Sequence, residues 1–508
     1  MGTHYILAHD LGTTGDKATL FDEQGAAVAI VFEAYETHYP HPNWAEQDPA
    51  DWQRAIFRGT RRLLARAAIP PGQVAAISFS GHMMGALLVD AQGAPLRSSI
   101  IWADQRAAAQ AERICQTCGE EAIYRLTGHR VSAAYTAAKV LWVREHQPEL
   151  YRRAAKVLQA KDYAAFLLTG EIATDYSDAS GTQLFDLVGR RWASDVLAAL
   201  DLRADLLPAI YPSTAVIGRV TPQAAAASGL LAGTPVVIGG GDGACATVGA
   251  ASVREGDAYA YMGSSAWIAL TARQPILDPQ RRTFTFAHLD PQLYFPVGTM
   301  QAAGGAFDWL ERLLRGAADE ERLFKELDAQ AAQVPAGAGG ALFLPYLLGE
   351  RSPHWNPLAR GALVGLAMPH GRGEVARAVL EGVAMNLRLI LDALCAQGVH
   401  LDALRLIGGC AKSALWRQIL ADVLDLPILL PALTSEATSL GAAIAGGVGV
   451  GLYPDFSVAG RLIPVAGAEH PDAGRVAHYD ELCRVFQDAY EALAPVFARL
   501  AALSATGL

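Results

Sequence analysis

Short apolar runs broken by polar, glycine-bearing turns open the chain. Tyr5–His9, Lys17–Phe21 and Ala26–Phe32 read as strands, separated by turns at Leu11–Gly15 and Asp22–Gly25. This predicts an antiparallel meander whose first turn is polar. The same pattern returns later: Asp257–Met262 and Ala266–Thr271 read as strands around the turn Gly263-Ser264-Ser265. Two strand–turn–strand units with glycine and hydroxyls at the tip predict an internally duplicated architecture.

Between them, Ala75–Ser80 and Ala86–Val89 flank the loop Gly81–Gly85, and a helix is expected near Asp104, placed to cap it. Leu200–Val220 is punctuated by proline and reads as loop with short strands. Further on, apolar residues recur at helical spacing over Glu374–Ala396. Leu404–Ile407 then reads as a strand, Gly408-Gly409 as a turn, Ser413–Leu424 as a helix and Pro427–Leu430 as a strand. The class is α/β with meanders and crossovers mixed. At 508 residues the chain exceeds one core, and a boundary near Ala250 divides it into 1–250 and 251–508.

The composition is globular, with 52% hydrophobic and 18% charged residues and a net charge of −10. No basic stripe is present, which argues against nucleic acid as a partner. No uninterrupted apolar run reaches membrane-spanning length, and Met1–Gly15 lacks the pattern of a signal peptide. The six cysteines make no disulfide framework, and Cys115/Cys118 have no second pair to complete a zinc site, so they read as two thiols on a helix. Such thiols suit a reducing, cytoplasmic setting.

The candidate chemistry lies in glycine-bounded turns. In Val236–Gly249 a β-branched run meets Gly239, Gly240 and Gly241 and then Asp242, the one charge in the stretch. A carboxylate held on such a turn can accept a proton from a substrate hydroxyl, although capping of the next helix is the commoner fate of such an Asp. Asp10 beside Gly12-Thr13-Thr14-Gly15 could hold Mg²⁺ through water while the turn cradles phosphate oxygens. Gly263-Ser264 offers the same at the second turn. Gly304-Gly305 and Gly408-Gly409 each precede an expected helix, where a base or phosphate could approach. There is no G-x-x-x-x-G-K-[ST] and no protein-kinase motif, so any phosphate handling belongs to another nucleotide fold.

Long segments carry a family resemblance. DLGTTG, the stretch from Thr136 through LFD, GGGDGA, FLPYLLGERSPHWNP from Phe343 and IGGCAKSALWRQILADVLDLPI from Ile407 together resemble the FGGY carbohydrate kinases, nearly end to end, and within them the xylulokinases. The resemblance implies two actin-like (ribonuclease H-like) domains with a central cleft that takes sugar and ATP. The N-terminal domain would be the sugar side and the C-terminal domain the nucleotide side. It implies phosphorylation of a ketose, D-xylulose first, with another sugar or polyol (ribulose, glycerol, erythritol) or a catalytically silent homologue as alternatives. It casts Asp242 as base and Asp10 as the group that places Mg²⁺ and the phosphoryl. Thr13, Thr14, Gly263 and Ser264 would face phosphates; Gly304, Gly305, Gly409 and Ser413 would surround the nucleoside. Met83, Met84 and Asp104 would lie on the sugar side, and a homodimer is the family's expectation. One departure is visible: xylulokinases carry His in a Q-M-H-G motif where this chain reads His82-Met83-Met84-Gly85. A thioether is no strong donor, so the sugar's identity stays open, with His82 as a possible substitute donor.

Overall fold

The computed structural model describes residues 4–315, 320–432 and 436–505, with all their side chains except those of 320–322 and 504–505. Met1–Thr3 of the N-terminal segment lie outside the described residues. In the first half, β1 (Tyr5–Leu11), β2 (Gly15–Asp22) and β3 (Ala27–Ala34) form the expected meander. After α1 (Pro49–Ala67), β4 (Val74–Gly81) pairs parallel to β1. Among the helices that follow are α2 (Ala108–Cys118), α3 (Thr136–His146), α4 (Ala160–Thr169) and the short α5 (Tyr176–Ser180). The sheet is completed by β5 (Val216–Arg219), β6 (Pro235–Val237) and the two-residue β7 (Gly240–Gly241), and α6 (Asp242–Gly249) leads away. The order is β5-β6-β4-β1-β2-β3, with β7 also paired to β4.

The second half repeats this plan. β8 (Ala258–Met262) and β9 (Ala266–Leu270) are antiparallel, and β10 (Phe284–Ala287) and β11 (Tyr294–Met300) extend the meander. After α7 (Gly304–Leu314) and α8 (Arg372–Cys395), β12 (Leu404–Ile407) pairs parallel to β8. Then come α9 (Ala414–Leu424), β13 (Ile428–Pro431), α10 (Ala437–Gly449), β14 (Val465–Glu469) and α11 (Ala473–Ala505). The order is β10-β11-β9-β8-β12-β13-β14. β1 and β8, β4 and β12, β6 and β13, β5 and β14 correspond in both position and sense, so the duplication expected from pattern is an architectural fact.

Each half has its own apolar core. A third core joins them: Ile6, Ala8 and Phe21 from the first sheet, α6, Tyr259 and Phe295 from the second, and α10. Although α10 follows β13 of the second sheet, it lies against β1 and β4 of the first. No helix of the described residues is long and apolar enough to cross a membrane.

Candidate active site

Parallel pairing brings the ends of β1, β4 and β7 to one edge of the first sheet. Asp10 is opposite Ser80, which is opposite Gly240; Leu11, Gly81 and Gly241 form the next row. Ligands of open α/β sheets bind beyond this carboxyl edge. The hairpin tip 12–14 extends from β1, the loop with Met83 and Met84 from β4, and Asp242 from β7.

Of the three glycines before Asp242, only Gly239 turns, at φ +67°; its missing Cβ would lie 2.0 Å from the Phe79 carbonyl oxygen. Gly240 and Gly241 continue as strand, so the expected three-glycine turn is a one-residue turn followed by a closely packed edge. Gly241 is the N-cap of α6 and Asp242 its first helical residue. Asp242 Oδ1 accepts from the Gly243 N–H at 2.7 Å, so the carboxylate does help to cap its own helix. The side chain remains exposed to solvent while protein surrounds it at longer range. That envelopment, together with the charge of Asp10, raises the carboxyl to about 7, partly offset by the Gly243 bond. Asp10 accepts from Ser80 Oγ at 2.8 Å; burial raises its pKa against the pull of Lys17.

Thr14 is exposed and Thr13 half-buried at the first hairpin tip. Thr13 Oγ1 accepts from Trp102 Nε1 at 3.1 Å, which leaves its own proton to donate. The Thr13 carbonyl accepts from Gln47 Nε2 at 2.7 Å. Gln47 Oε1 is therefore the acceptor for His82 Nε2, at 3.1 Å, and the His82 Nδ1 lone pair has no protein partner. Burial and Lys139 lower His82 to about 4, so it is neutral at pH 7. One amide side chain thus ties the first hairpin to the loop after β4.

On that loop Met83 is buried against Gly241 and Gly181, and Met84 adopts φ +64°. Lys139 Nζ donates to the carbonyl of Met84 at 2.7 Å and to that of Ala134. Burial lowers this ammonium to about 7, with Asp104 opposing the shift.

Asp104 departs from expectation. It caps no helix, because α2 begins at Ala108 with no side-chain cap. It is wholly buried, accepting from the Ala45 N–H at 2.6 Å and from the Arg106 guanidinium, which lies 3.7 Å over the Trp44 ring. With no exposed surface it is an anchor for its segment, and a direct sugar contact is not available to it as it stands. Cys115 and Cys118 lie on α2, and burial raises both thiols.

In the second half, the Gly304 N–H donates to the Gly263 carbonyl at 2.8 Å and the Gly305 N–H to the Ser264 carbonyl at 2.9 Å. Both glycines are inside the first turn of α7, one step later than the expected position before it, and the structure brings the four residues together. Gly408, at φ +101°, ends β12, and Gly409 opens a short turn of helix with free space where a Cβ would be. Ser413 caps α9: it accepts from the Trp416 N–H at 3.1 Å and donates to Asp328 at 2.7 Å. Its one hydroxyl proton is thereby committed within the protein.

Aromatic residues of the second sheet approach the Asp242 turn. Tyr261 stacks on Trp267 at 4.2 Å and lies within electrostatic reach of Asp242 and Asp10, whose charges add to its burial in raising the phenol. Trp267 Nε1 donates to the Tyr259 hydroxyl at 2.9 Å, which in turn meets the Gly243 carbonyl at 3.3 Å. Tyr259 and Tyr261 alternate along β8, a period that could have marked them. Lys139, Lys161, Asp175 and Ser177 were also unassigned. A lone lysine amid apolar helical residues, as in AAKVLW and AKDYAAF, was the available signal.

This geometry has known counterparts. The model of the FGGY family of carbohydrate kinases matches residues 5–249 with its N-terminal domain and 258–450 with its C-terminal domain. The chain belongs to the FGGY family of carbohydrate kinases. It is an ATP-dependent sugar phosphotransferase with the actin-like two-domain fold of that family. The kinase is 36% identical to the xylulose kinase of Escherichia coli (strain K12), over 96% of this chain and 99% of that one. The crystal structure of gluconate kinase from Lactobacillus acidophilus superposes with a TM-score of 0.93 at 30% identity, covering 98% of this chain and all of that one. Ligand-bound xylulose kinase from the same organism gives 0.92 at 29% identity, with the same coverage.

Proposed function

We propose that the kinase transfers the terminal phosphoryl group of ATP to a hydroxyl of a neutral ketose, D-xylulose first, with Asp242 as the base. The placement of the Asp242 and Asp10 carboxylates at one carboxyl edge of the first sheet, on either side of β4, carries this reading. Phosphoryl transfer asks for alignment and charge stabilisation more than covalent chemistry. The proton is accepted as the sugar oxygen bonds to phosphorus, and a carboxyl near 7 is a far better acceptor than an ordinary Asp. Met83 and Met84 line the sugar side, and Asp104 holds the neighbouring segment.

Thr13, Thr14, Gly263 and Ser264 are assigned to phosphates, and Gly304, Gly305 and Gly409 to the nucleoside, with Ser413 supporting that wall from its cap. Asp10 is a hard oxygen donor at the edge that also carries Asp242, a setting that suits Mg²⁺ held by one carboxylate, waters and the nucleotide. Bound there, the ion would neutralise phosphate charge. Two domains closing on the substrates would exclude water from the transfer.

A neutral sugar is favoured over a sugar acid by the loop after β4. His82 is uncharged at pH 7 and the Lys139 ammonium is spent on two carbonyls, so neither offers a carboxylate a cation. The resemblance to a gluconate kinase structure keeps that class in the test. ADP release is measured with D-xylulose, D-ribulose, glycerol, erythritol and D-gluconate. The expected result is the highest kcat/KM with D-xylulose. Preference for gluconate overturns the ketose assignment, and no turnover with any of them overturns the catalytic one.

A further inference from the structure

Beneath the Asp242 edge lies a buried ionic cluster that the transfer itself does not use. Lys161 Nζ on α4 is 2.7 Å from Asp162, 3.0 Å from Asp175 and 3.1 Å from Asp178, all essentially without solvent contact. Burial alone would depress the ammonium, yet the three carboxylates hold it well above its ordinary range. Burial and the neighbouring carboxylates push Asp178 well up, against the pull of Lys161.

The cluster reaches the residue before Asp242 through Asp175. Asp175 Oδ1 faces Lys161, and Oδ2 accepts from Ser177 Oγ at 2.6 Å and from Ser213 Oγ at 2.7 Å. The Ser177 hydroxyl donates to this oxygen, so its proton is committed there and a lone pair is left to face away. That lone pair receives the Gly241 N–H at 2.9 Å. Gly241 belongs to a two-residue strand paired with β4 on one side, so this N–H would otherwise be buried without a partner. The next residue is Asp242.

We propose that Ser177, oriented by Asp175 and Lys161, is a positioning residue that sets where the Asp242 carboxylate stands relative to the sugar hydroxyl. Buried ion clusters are poor sources of net stability, since apolar residues of similar volume often do as well. A cluster that ends on the backbone hydrogen bond immediately before the base, and through Asp162 and Gln159 on the Gly85 N–H of the loop after β4, is better explained by placement. A displacement of about 1 Å at a reacting group can cost on the order of a hundredfold in rate.

The inference rests on Asp242 being the base, and its test separates the two. Ser177→Ala and Ser177→Cys are assayed beside Asp242→Asn in the full-length enzyme, with rates expressed per folded molecule and thermal melts recorded. Cys keeps the side-chain volume but is a weak acceptor. Both Ser177 variants are expected to lose about tenfold or more in kcat, with KM for sugar and ATP within about twofold of the parent. Parent-like kcat in either variant overturns the proposal, as does a loss expressed mainly in KM. A Ser177→Cys chain that cannot fold also overturns it, because the hydroxyl would then serve the fold and not the base. Turnover retained in Asp242→Asn overturns the parent reading. A silent Asp242→Asn beside a fully active Ser177→Ala overturns only this one.

Discussion

Asp10 and Asp242 stand at the same edge of one sheet, on either side of the single strand β4: Asp10 shares a row with Gly240, about two strand spacings or roughly 10 Å across, and Asp242 follows two residues later as the first residue of α6. Burial and the charge of Asp10 together hold Asp242 near 7. A nucleotide-bound cation at Asp10 would therefore alter the proton affinity of the base.

Asp242→Asn keeps the shape of the side chain and removes its proton affinity. Turnover should fall by about a thousandfold or more, while KM for the sugar stays within a few-fold. Coupled ADP-release kinetics read both numbers, and near-parental kcat would exclude Asp242 as the base.

The raised carboxyl predicts two pH effects of definite sign. Below about 7 the base is protonated, so kcat/KM should drop about tenfold per pH unit until other groups intervene. For stability, the folded state binds this proton more tightly than the unfolded chain, so the group's contribution falls as pH rises from about 4 to about 7. Asp242→Asn should accordingly raise Tm at pH 8 and leave it nearly unchanged at pH 4. An equal shift at both values would deny the raised pKa.

Gly304→Ala would set a Cβ 2.6 Å from the Gly263 carbonyl oxygen and 3.0 Å from Cys410 Sγ. The second hairpin tip would then have to leave the start of α7. KM for ATP should rise about tenfold, with little change in KM for the sugar. A rise confined to the sugar would remove this contact from the nucleotide side.

Met84→His introduces a donor at a position whose φ of +64° histidine tolerates better than most residues. If Met84 touches the sugar, kcat/KM for D-xylulose relative to glycerol should change by about tenfold or more. A uniform change across the panel would mean that Met84 only fills space.

The meanders, the β4 loop and the helices α8 and α9 were legible because their signals are local: apolar runs, turns and helical spacing within a few residues. Asp10 and Asp242 were legible for the same reason, each beside glycine-rich turns. The Lys161 cluster was not, because Asp175 and Ser213 reach their partners only through the fold. Asp104 misled for a related reason. Its acidic side chain precedes a helix, but the nearby Arg106 and the distant Ala45 compete for it successfully. Helix α11 was not read, its period being blurred by alanines and by Pro495 within it.

The crossing of α6 and α10 leaves no room for side chains. A Cβ on Gly249 would fall 1.7 Å from the Ala437 carbonyl oxygen, and one on Gly441 would fall 1.9 Å from that of Cys245. Since α10 is made late in the chain yet rests on the sheet made first, the amino-terminal portion emerging from a ribosome lacks a covering for β1 and β4 until some two hundred further residues have been added. The two portions are thus obligate companions during synthesis, and neither should survive alone as a trimmed catalytic module.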